Sequence, residues 1–206
     1  MCECLFDPCL GQDGGVTTTG LLLAAGAGRR MGRPKALVEG WLVRAVESLA
    51  DCDQVVVVLG AAADEARPLL DAHDVTIVVA PDWEEGMGAS LRAGLMHLQH
   101  GDATRCVVTL VDLPDVAAPV VRRLLERPDN EEVLARATYS GRPGHPVLLG
   151  RSHWAGVIAS AVGDQGARSY LSTHEVAGVE CGDLATGADV DFQRGPSSGN
   201  RGPTRC

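Results

Sequence analysis

The sequence lacks the features that would assign it to a membrane protein or a nucleic-acid-binding protein. No apolar run in the 206 residues approaches the roughly 20 residues that a membrane-spanning helix requires. Asp and Glu (27) outnumber Lys and Arg (18), and the resulting net charge of −9 disfavours contact with nucleic acid or with an anionic membrane surface. We therefore expect a soluble, cytoplasmic protein with neither nucleic acid nor membrane as a partner.

The seven cysteines do not follow a metal-binding pattern. Cys2, Cys4 and Cys9 lie close together, but no fourth ligand follows at the spacing of a structural zinc site. The same segment lacks the basic start and apolar centre of a signal peptide. We expect residues 1–16 to be a disordered extension, residues 17–192 to form one domain, and the Gly/Pro/Ser/Arg-rich residues 193–206 to be a flexible tail.

Apolar runs and helical patterns alternate along the predicted domain. Runs without polar alternation, which suit strands buried on both faces of a parallel sheet, occur at Thr19–Ala25, Gln54–Gly60, Val75–Ala80 and Cys106–Leu110. Helical patterns lie at Trp41–Ala50, Ala61–Leu70, Ser90–Gln99 and Ala117–Arg127. Later strands are predicted at Leu134–Val147 and Val176–Leu184, and later helices at Ser152–Val162 and Gln165–Thr173. Repeated βα units predict an α/β fold, a doubly wound and mostly parallel sheet with helices on both faces.

The first predicted strand leads into a loop rich in glycine and arginine. The end of the strand and the loop together span residues 21–35 and read LLLAAGAGRRMGRPK. Glycines let backbone N–H groups face an anion without an intervening Cβ, and the loop's arginines and Lys35 supply positive charge. The loop contains neither the Gly-Lys-Ser/Thr of a P-loop nor the Gly-x-Gly-x-x-Gly spacing of a dinucleotide fold. It is therefore either a nucleotide-phosphate loop of another kind or an ordinary strand-to-helix loop.

Two aspartates follow other predicted strands. Asp82 comes after the third strand and Asp112 ends the fourth. Because parallel strands end at one edge of the sheet, both fall on the edge that carries the glycine loop. A carboxylate at the end of a buried strand is suited to Mg²⁺, although Asp112 as a turn or N-cap residue is the alternative. Given the neighbouring loop, we favour the metal.

Four segments in order resemble the MobA-like nucleotidyltransferases, and the resemblance covers about residues 19–191. The loop is similar to the family's L-A-[AG]-G-x-[SG]-x-R-[MF]-G-x-x-K. Residues 80–95 (APDWEEGMGASLRAGL) resemble N-P-D-W-x-x-G-M-x-x-S-L-R-x-G-L, residues 111–116 (VDLPDV) resemble G-D-x-P-x-V, and residues 142–147 (RPGHPV) resemble R-x-G-H-P-V. Within the family, the sequence is most similar to the molybdenum cofactor cytidylyltransferase (MocA-like) type.

The resemblance implies a Rossmann-like nucleotidyltransferase that transfers CMP from CTP to the molybdopterin cofactor and releases pyrophosphate. It implies that the catalytic residues are Lys35, Arg30 and Asp112. Residues that would contact nucleotide or acceptor are Leu23, Ala24, Ala25, Gly26, Gly28, Asp82, Ser90, Arg92 and His145. The Mg²⁺ ligands would be Asp112, Asp191 and Asp189. A molybdenum hydroxylase or its insertion chaperone is implied as a further partner.

The sequence departs from the family at three places, so alternative functions stay open. The loop after Lys35 is short, Val111 stands where the family has glycine, and Phe-Gln follows Asp191 where the family has Thr-Pro. Ala25 favours CTP, because the guanylyl branch carries a second glycine there that gives a larger base more room. The alternatives are transfer of GMP or of another nucleotide to a different phosphorylated acceptor, a related oxidoreductase, and a non-catalytic nucleotide- or cofactor-binding chaperone.

Overall fold

The computed structural model describes residues 17–190. Within this range, seven strands form one sheet: β1 Thr18–Leu23, β2 Gln54–Leu59, β3 Thr76–Val79, β4 Arg105–Leu110, β5 Leu134–Tyr139, β6 Arg142–Gly150 and β7 Ala177–Glu180. The α-helices of the same range are α1 Trp41–Glu47, α2 Ala63–Ala66, α3 Met87–Leu98, α4 Ala118–Leu125, α5 Arg151–Ser160 and α6 Arg168–Leu171. Short 3-10 helices lie at Lys35–Leu37, Arg67–Leu70, Trp83–Glu85 and Gly163–Gln165.

The strand order is β3-β2-β1-β4-β6-β5-β7. The pairs β1–β2, β2–β3, β1–β4 and β5–β7 are parallel, whereas β6 runs antiparallel to both β4 and β5. The order reverses at β1, where the chain goes out to β2 and β3 and then returns to β4. In doubly wound folds this reversal opens a crevice at the carboxyl ends of the central strands, which here are β1 and β4.

The sheet is buried on both faces, which explains the unbroken apolar runs of the central strands. Leu22 and Val107 belong to one core cluster, with apolar residues of α1, α2 and α4, whereas Leu21 and Cys106 belong to the other, with those of α3, α5 and α6. Alternate residues of a strand point to opposite faces, so a strand covered on both sides has few polar positions. The predicted fold class is confirmed.

The prediction for residues 134–147 was wrong in one respect. The chain there forms not one continuous strand but the hairpin of β5 and β6, which pair antiparallel. Ser140 and Gly141 make the turn, with φ of 52° and 75°. Two consecutive positive φ values are the mark of a type I′ turn, whose twist matches that of the flanking strands. The turn occupies only two residues, and β6 begins with the exposed or half-buried residues 142–145 before it becomes apolar and buried.

Some predicted helices are shorter than the pattern suggested. The predicted helix at 61–70 is divided into α2 and a 3-10 segment that has Pro68 near its start, because proline has no N–H to continue the helical hydrogen bonds. The predicted extension at 1–16 and tail at 193–206 lie outside the described residues. Within the described range, no helix has the length and apolar character that crossing a membrane requires.

Candidate functional site

A cleft of about 480 Å³ opens at the carboxyl ends of β1 and β4. One wall is the glycine loop, a second is the segment between β3 and α3, and the floor is the end of β4. The residues that line it are Leu23, Ala25, Gly26, Ala27, Gly28, Arg29, Arg30, Met31, Lys35, Trp83, Glu84, Glu85, Gly86, Met87, Ser90, Leu110, Val111, Asp112, Asp164 and Asp189. Nine of the residues predicted from sequence therefore lie around one cleft.

The conformation of the glycine loop requires glycine at position 28. Gly28 has φ of +60°, and a Cβ there would lie 1.9 Å from the carbonyl oxygen of Arg33. The Met31 N–H donates to the Gly28 carbonyl at 2.8 Å, which closes the turn. Gly26, by contrast, has no atom within 4 Å of the position that a Cβ would occupy, so its free side faces the cleft. The loop is thus folded tightly on itself and leaves room for a ligand beside Gly26.

Lys35 and Asp112 form an ion pair on the floor of the cleft. The Lys35 Nζ lies 2.5 Å from Asp112 Oδ2, and the two side chains are 19% and 11% exposed. The second carboxylate oxygen, Asp112 Oδ1, is buried and has no hydrogen-bond partner within the described part of the chain. Leaving a charged acceptor buried and unsatisfied costs free energy. The floor of the cleft therefore carries one paired and one unsatisfied carboxylate oxygen.

The segment after β7 is held against Asp112 by hydrogen bonds. The Val190 N–H donates to the Asp112 carbonyl at 3.1 Å. The carboxylate of Asp115 accepts bonds from both the N–H and the hydroxyl of Thr186, at 2.6 and 2.5 Å. These bonds bring Asp189, which is exposed, to the rim of the cleft. Asp191, the other predicted metal ligand, lies outside the described residues.

The carboxylates at the cleft fit a divalent cation. Mg²⁺ in nucleotide sites is usually bound by one or two carboxylates together with phosphate oxygens and water. Asp112 Oδ1 is a buried oxygen that needs such a partner, and Asp189 is near enough to line the same cleft. Among residues 17–190 there is no group of three or more His, Cys, Asp or Glu side chains able to hold a metal alone.

The other residues predicted to contact nucleotide or acceptor are placed differently. Ala24 is buried and its N–H bonds to the Val58 carbonyl, so it supports the loop from beneath. Asp82 is exposed and is not among the described residues that line the cleft. Arg92 bonds to Glu85 and to the Ala161 carbonyl, both at 2.6 Å. Arg92 therefore anchors the segment that walls the cleft.

Sequence reasoning missed Asp164 and the backbone of residues 83–87. Gly86 has φ of +111°, and a Cβ there would lie 2.4 Å from Asp164 Oδ1, so the two segments touch closely. Asp164 lies in a short turn between two glycines of positive φ, Gly163 and Gly166. That Gly-Asp-Gln-Gly pattern between two helices was the available signal, because a polar residue between turn glycines is held at a fixed place.

His145 lies in a smaller pocket of about 90 Å³ that adjoins the cleft. Its carbonyl accepts a 2.6 Å hydrogen bond from the Tyr139 hydroxyl. Burial, and then the positive charges of Arg136 and Arg168, lower the pKa of His145 to about 4. The imidazole is therefore neutral at physiological pH, in a pocket that already contains two guanidinium groups.

Comparison with known proteins identifies the family. Residues 20–178 match the model of the MobA-like NTP transferase domain. The chain belongs to this family. The resemblance seen in the four sequence segments is thereby confirmed, and the fold is that of a nucleotidyltransferase of the MobA-like type.

Two proteins that are similar to this chain are named for different reactions. The chain is similar to nicotine blue oxidoreductase of Paenarthrobacter nicotinovorans, with 37% identity over 193 residues that cover 84% of this chain and 91% of that protein. It is also similar to a probable molybdenum cofactor guanylyltransferase of Bacillus cytotoxicus, with 28% identity over 142 residues that cover 66% of this chain and 69% of that protein. The chain is thus similar to proteins named for two unlike reactions.

A solved structure of a relative contains a divalent metal. The complex of Rv0371C of Mycobacterium tuberculosis with manganese matches this structure with a TM-score of 0.65 and 27% identity, over 81% of this chain and 89% of that one. A divalent cation is therefore bound by a protein of the same fold and detectable sequence similarity.

Proposed function

We propose that the protein is a Mg²⁺-dependent nucleotidyltransferase that transfers CMP from CTP to the molybdopterin cofactor, with release of pyrophosphate. The observation that carries the proposal is the Lys35–Asp112 pair on the floor of the cleft, with Asp112 Oδ1 buried and unsatisfied. A lysine beside a glycine loop supplies positive charge for a triphosphate, and the carboxylate supplies an oxygen ligand for the cation bound to it. The product would pass to a molybdenum hydroxylase or its insertion chaperone.

The roles of the residues follow from their positions in the cleft. Asp112, with Asp189 and Asp191, would hold Mg²⁺, which when bound supplies charge neutralisation on the triphosphate and activation of its α-phosphorus. Backbone N–H groups of the glycine loop would bind the phosphates. Lys35 and Arg30 would stabilise the charge that develops on the leaving pyrophosphate, a contribution typically of ~10²–10³ in rate for one preorganised donor.

No residue of the cleft needs to act as a general base in this reaction. The nucleophile is a phosphate oxygen of the acceptor, which is already ionised at neutral pH. Catalysis then rests on holding the two substrates in line and on stabilising charge. This requirement suits a cleft whose described lining offers fixed backbone and charged groups and includes no histidine or cysteine.

The choice of CTP over GTP is supported by Ala25. This residue is 3% exposed and lines the cleft, and its carbonyl accepts a bond from the Ala61 N–H at 3.1 Å. Its methyl group is tightly placed, because a Cβ on Gly60 would lie 2.8 Å from it. The methyl group cannot move aside for a larger base, so we expect the site to prefer a pyrimidine.

A second candidate function is reduction of an aromatic compound with a nicotinamide cofactor. It is favoured by the 37% identity to a protein named nicotine blue oxidoreductase. Hydride transfer has no pyrophosphate to stabilise, so it gives no role to the Lys35–Asp112 pair. The geometry of the cleft therefore supports nucleotidyl transfer better.

The test is pyrophosphate release by the full chain with Mg²⁺ and molybdopterin cofactor, offering CTP, GTP, ATP and UTP separately. We expect release with CTP, loss on adding EDTA, and a fall of at least ~10²-fold in the Asp112→Asn variant. Ala25→Gly is expected to raise the rate with GTP relative to CTP. Arg122→Gln, which alters an exposed arginine of α4 away from the cleft, is the matched control.

Each contrary result has a definite meaning. Release with GTP in preference to CTP would contradict the predicted preference for CTP but would support nucleotidyl transfer. Absence of release, together with oxidation of NADPH in the presence of an aromatic acceptor, would establish the reductase. Nucleotide binding without either reaction would identify a non-catalytic binding protein.

A further inference from the structure

The small pocket that contains His145 opens beside the nucleotide cleft. The two cavities share three wall residues, Leu23, Met87 and Asp164. The far side of the small pocket is built by β5, β6 and α6, which contribute Arg136, His145 and Arg168 among its lining residues. A molecule bound in this pocket would therefore lie next to whatever occupies the cleft. None of the steps assigned to the cleft uses these three basic side chains.

Arg136 lacks the partners that a half-buried structural arginine normally has. Its Nε is buried and has no hydrogen-bond partner within the described residues. One Nη donates to the Gly144 carbonyl, but at 3.4 Å the bond is long. Burying a cationic donor without a partner costs considerable free energy, so such donors usually meet an anion. The free Nε therefore marks a place where an anion would be stabilised.

Arg168 adds a second positive charge to the same pocket. Within residues 17–190, neither Arg136 nor Arg168 forms an ion pair with a carboxylate, and this includes Asp164 on the shared wall. Burial first, and the charge of Arg168 second, lower the pKa of Arg136. The same two arginines act with burial to lower the pKa of His145. Two positive charges thus line the pocket without a direct ion pair to any described carboxylate, and Asp164 of the shared wall is the one carboxylate in the pocket's described lining.

The size and the donors of the pocket select a class of ligand. At about 90 Å³ it is several times smaller than the cleft, and it suits a compact group rather than a nucleobase. Two guanidinium groups present planar arrays of N–H donors, which match the oxygens of a phosphate. A neutral imidazole can donate one further bond. These features fit a phosphate monoester better than an apolar or cationic group.

We propose that Arg136, Arg168 and His145 form a subsite for the phosphate group of the acceptor substrate. The inference rests on the proposed function, because it places the nucleotide in the cleft and the acceptor in the adjoining pocket. The shared wall brings the acceptor's phosphate beside the triphosphate, where the two must react. The anion would supply the partner that Arg136 Nε lacks and would favour protonation of His145.

The test titrates inorganic phosphate into the full chain and follows two signals. Calorimetry gives the affinity, and the ring resonances of His145 in ¹⁵N-labelled protein report binding in the pocket. Arg168 is exposed, so Arg168→Gln is expected to fold normally; Arg136→Gln is the second variant. Arg122→Gln is the matched surface control. Lys35→Met tests the other possible site, because a loss of phosphate affinity in this variant would show that phosphate binds at the glycine loop instead.

We expect Arg168→Gln to weaken phosphate binding roughly 10-fold or more and to abolish the shift of the His145 resonances. We expect Lys35→Met and Arg122→Gln to leave that shift in place. The proposal is overturned if phosphate does not move the His145 resonances in the unaltered protein, or if Arg168→Gln binds phosphate with unchanged affinity. Neither readout needs turnover. A chain that binds phosphate here but releases no pyrophosphate would reject the proposed function and retain the subsite.

Discussion

The Lys35–Asp112 pair predicts a large non-additivity in stability. The perturbation is a double-mutant cycle of Lys35→Met, Asp112→Leu and the combined variant. Each single change removes one of the two opposite charges from a nearly buried pair, since the two side chains are only 19% and 11% exposed. The combined change removes both charges and leaves apolar side chains of similar volume. We expect the combined variant to be more stable than either single variant.

The magnitude follows from the geometry of the pair. With an effective dielectric constant of about 20, unit charges separated by the 2.5 Å between Nζ and Oδ2 attract by roughly 6–7 kcal/mol. Desolvation of each ion costs several kcal/mol, so the net value of the pair is close to zero. Removing one partner of a fully buried pair costs about 3–5 kcal/mol, and the residual exposure reduces this to about 2–4 kcal/mol. The combined variant should lie within about 1 kcal/mol of the unaltered protein.

Thermal and urea unfolding measure this cycle. For a chain of this size, the single variants should lose about 5–15 °C in Tm, and the combined variant only a few degrees. All three should lose pyrophosphate release, because catalysis requires both charges whereas the stability of the fold does not. If the losses of the single variants add in the combined variant to within about 0.5 kcal/mol, the two charges are not coupled and the reasoning is wrong.

Two further predictions concern the glycine loop and an exposed carboxylate. Gly28→Ala should lower the free energy of unfolding by about 1–3 kcal/mol or more, because position 28 has positive φ and the new Cβ would collide with the Arg33 carbonyl. Gly26→Ala, which faces open space, should leave Tm unchanged while weakening CTP binding in calorimetry; equal Tm values for the two variants would contradict this. Hydrogen bonds from the N–H groups of Gly141, Ser140 and Gly182 and the hydroxyl of Thr138 lower the pKa of Glu180 from 4.5 to about 2. The stabilisation from its ionised form is therefore complete above pH 4.5 and is lost as the pH falls towards 2, and Glu180→Gln should flatten the acid limb of a plot of Tm against pH.

The fold could be predicted because the relevant signals are local in sequence. Central strands covered on both faces have unbroken runs of Val, Ile and Leu, such as Gln54–Leu59. The hairpin at Ser140 and Gly141 was missed because the turn occupies only two residues and the first residues of β6 are polar or exposed rather than apolar. Likewise Pro68 divides a helix whose apolar spacing is otherwise continuous. Short turns and helix breaks of this kind are harder to recognise in a sequence than buried segments are.

Topology predicted the candidate site where its residues follow strands, and the family resemblance predicted others, such as Ser90 on α3. Asp112 and the glycine loop end neighbouring parallel strands, so topology alone brings them to one edge. Asp164 reaches the cleft from a turn between two helices, and its proximity to Gly86 depends on how those helices pack. The partners of Arg92 could not be foreseen either, because Ala161 is 69 residues away in sequence. Contacts between distant segments are set by packing, which the pattern of one segment does not contain.

Sequence identity and site chemistry rank the two candidate functions in opposite orders. The relative with 37% identity is named an oxidoreductase, whereas the one with 28% identity is named a guanylyltransferase. Identity is averaged over the whole chain, and most of those positions maintain the core rather than the reaction. The floor of the cleft bears on the reaction directly. A buried Lys35–Asp112 pair with an unsatisfied oxygen adds little to stability, and hydride transfer would gain nothing from it. A variant that loses the pair therefore distinguishes the two reactions, because it should abolish pyrophosphate release but leave reduction by a nicotinamide cofactor largely intact.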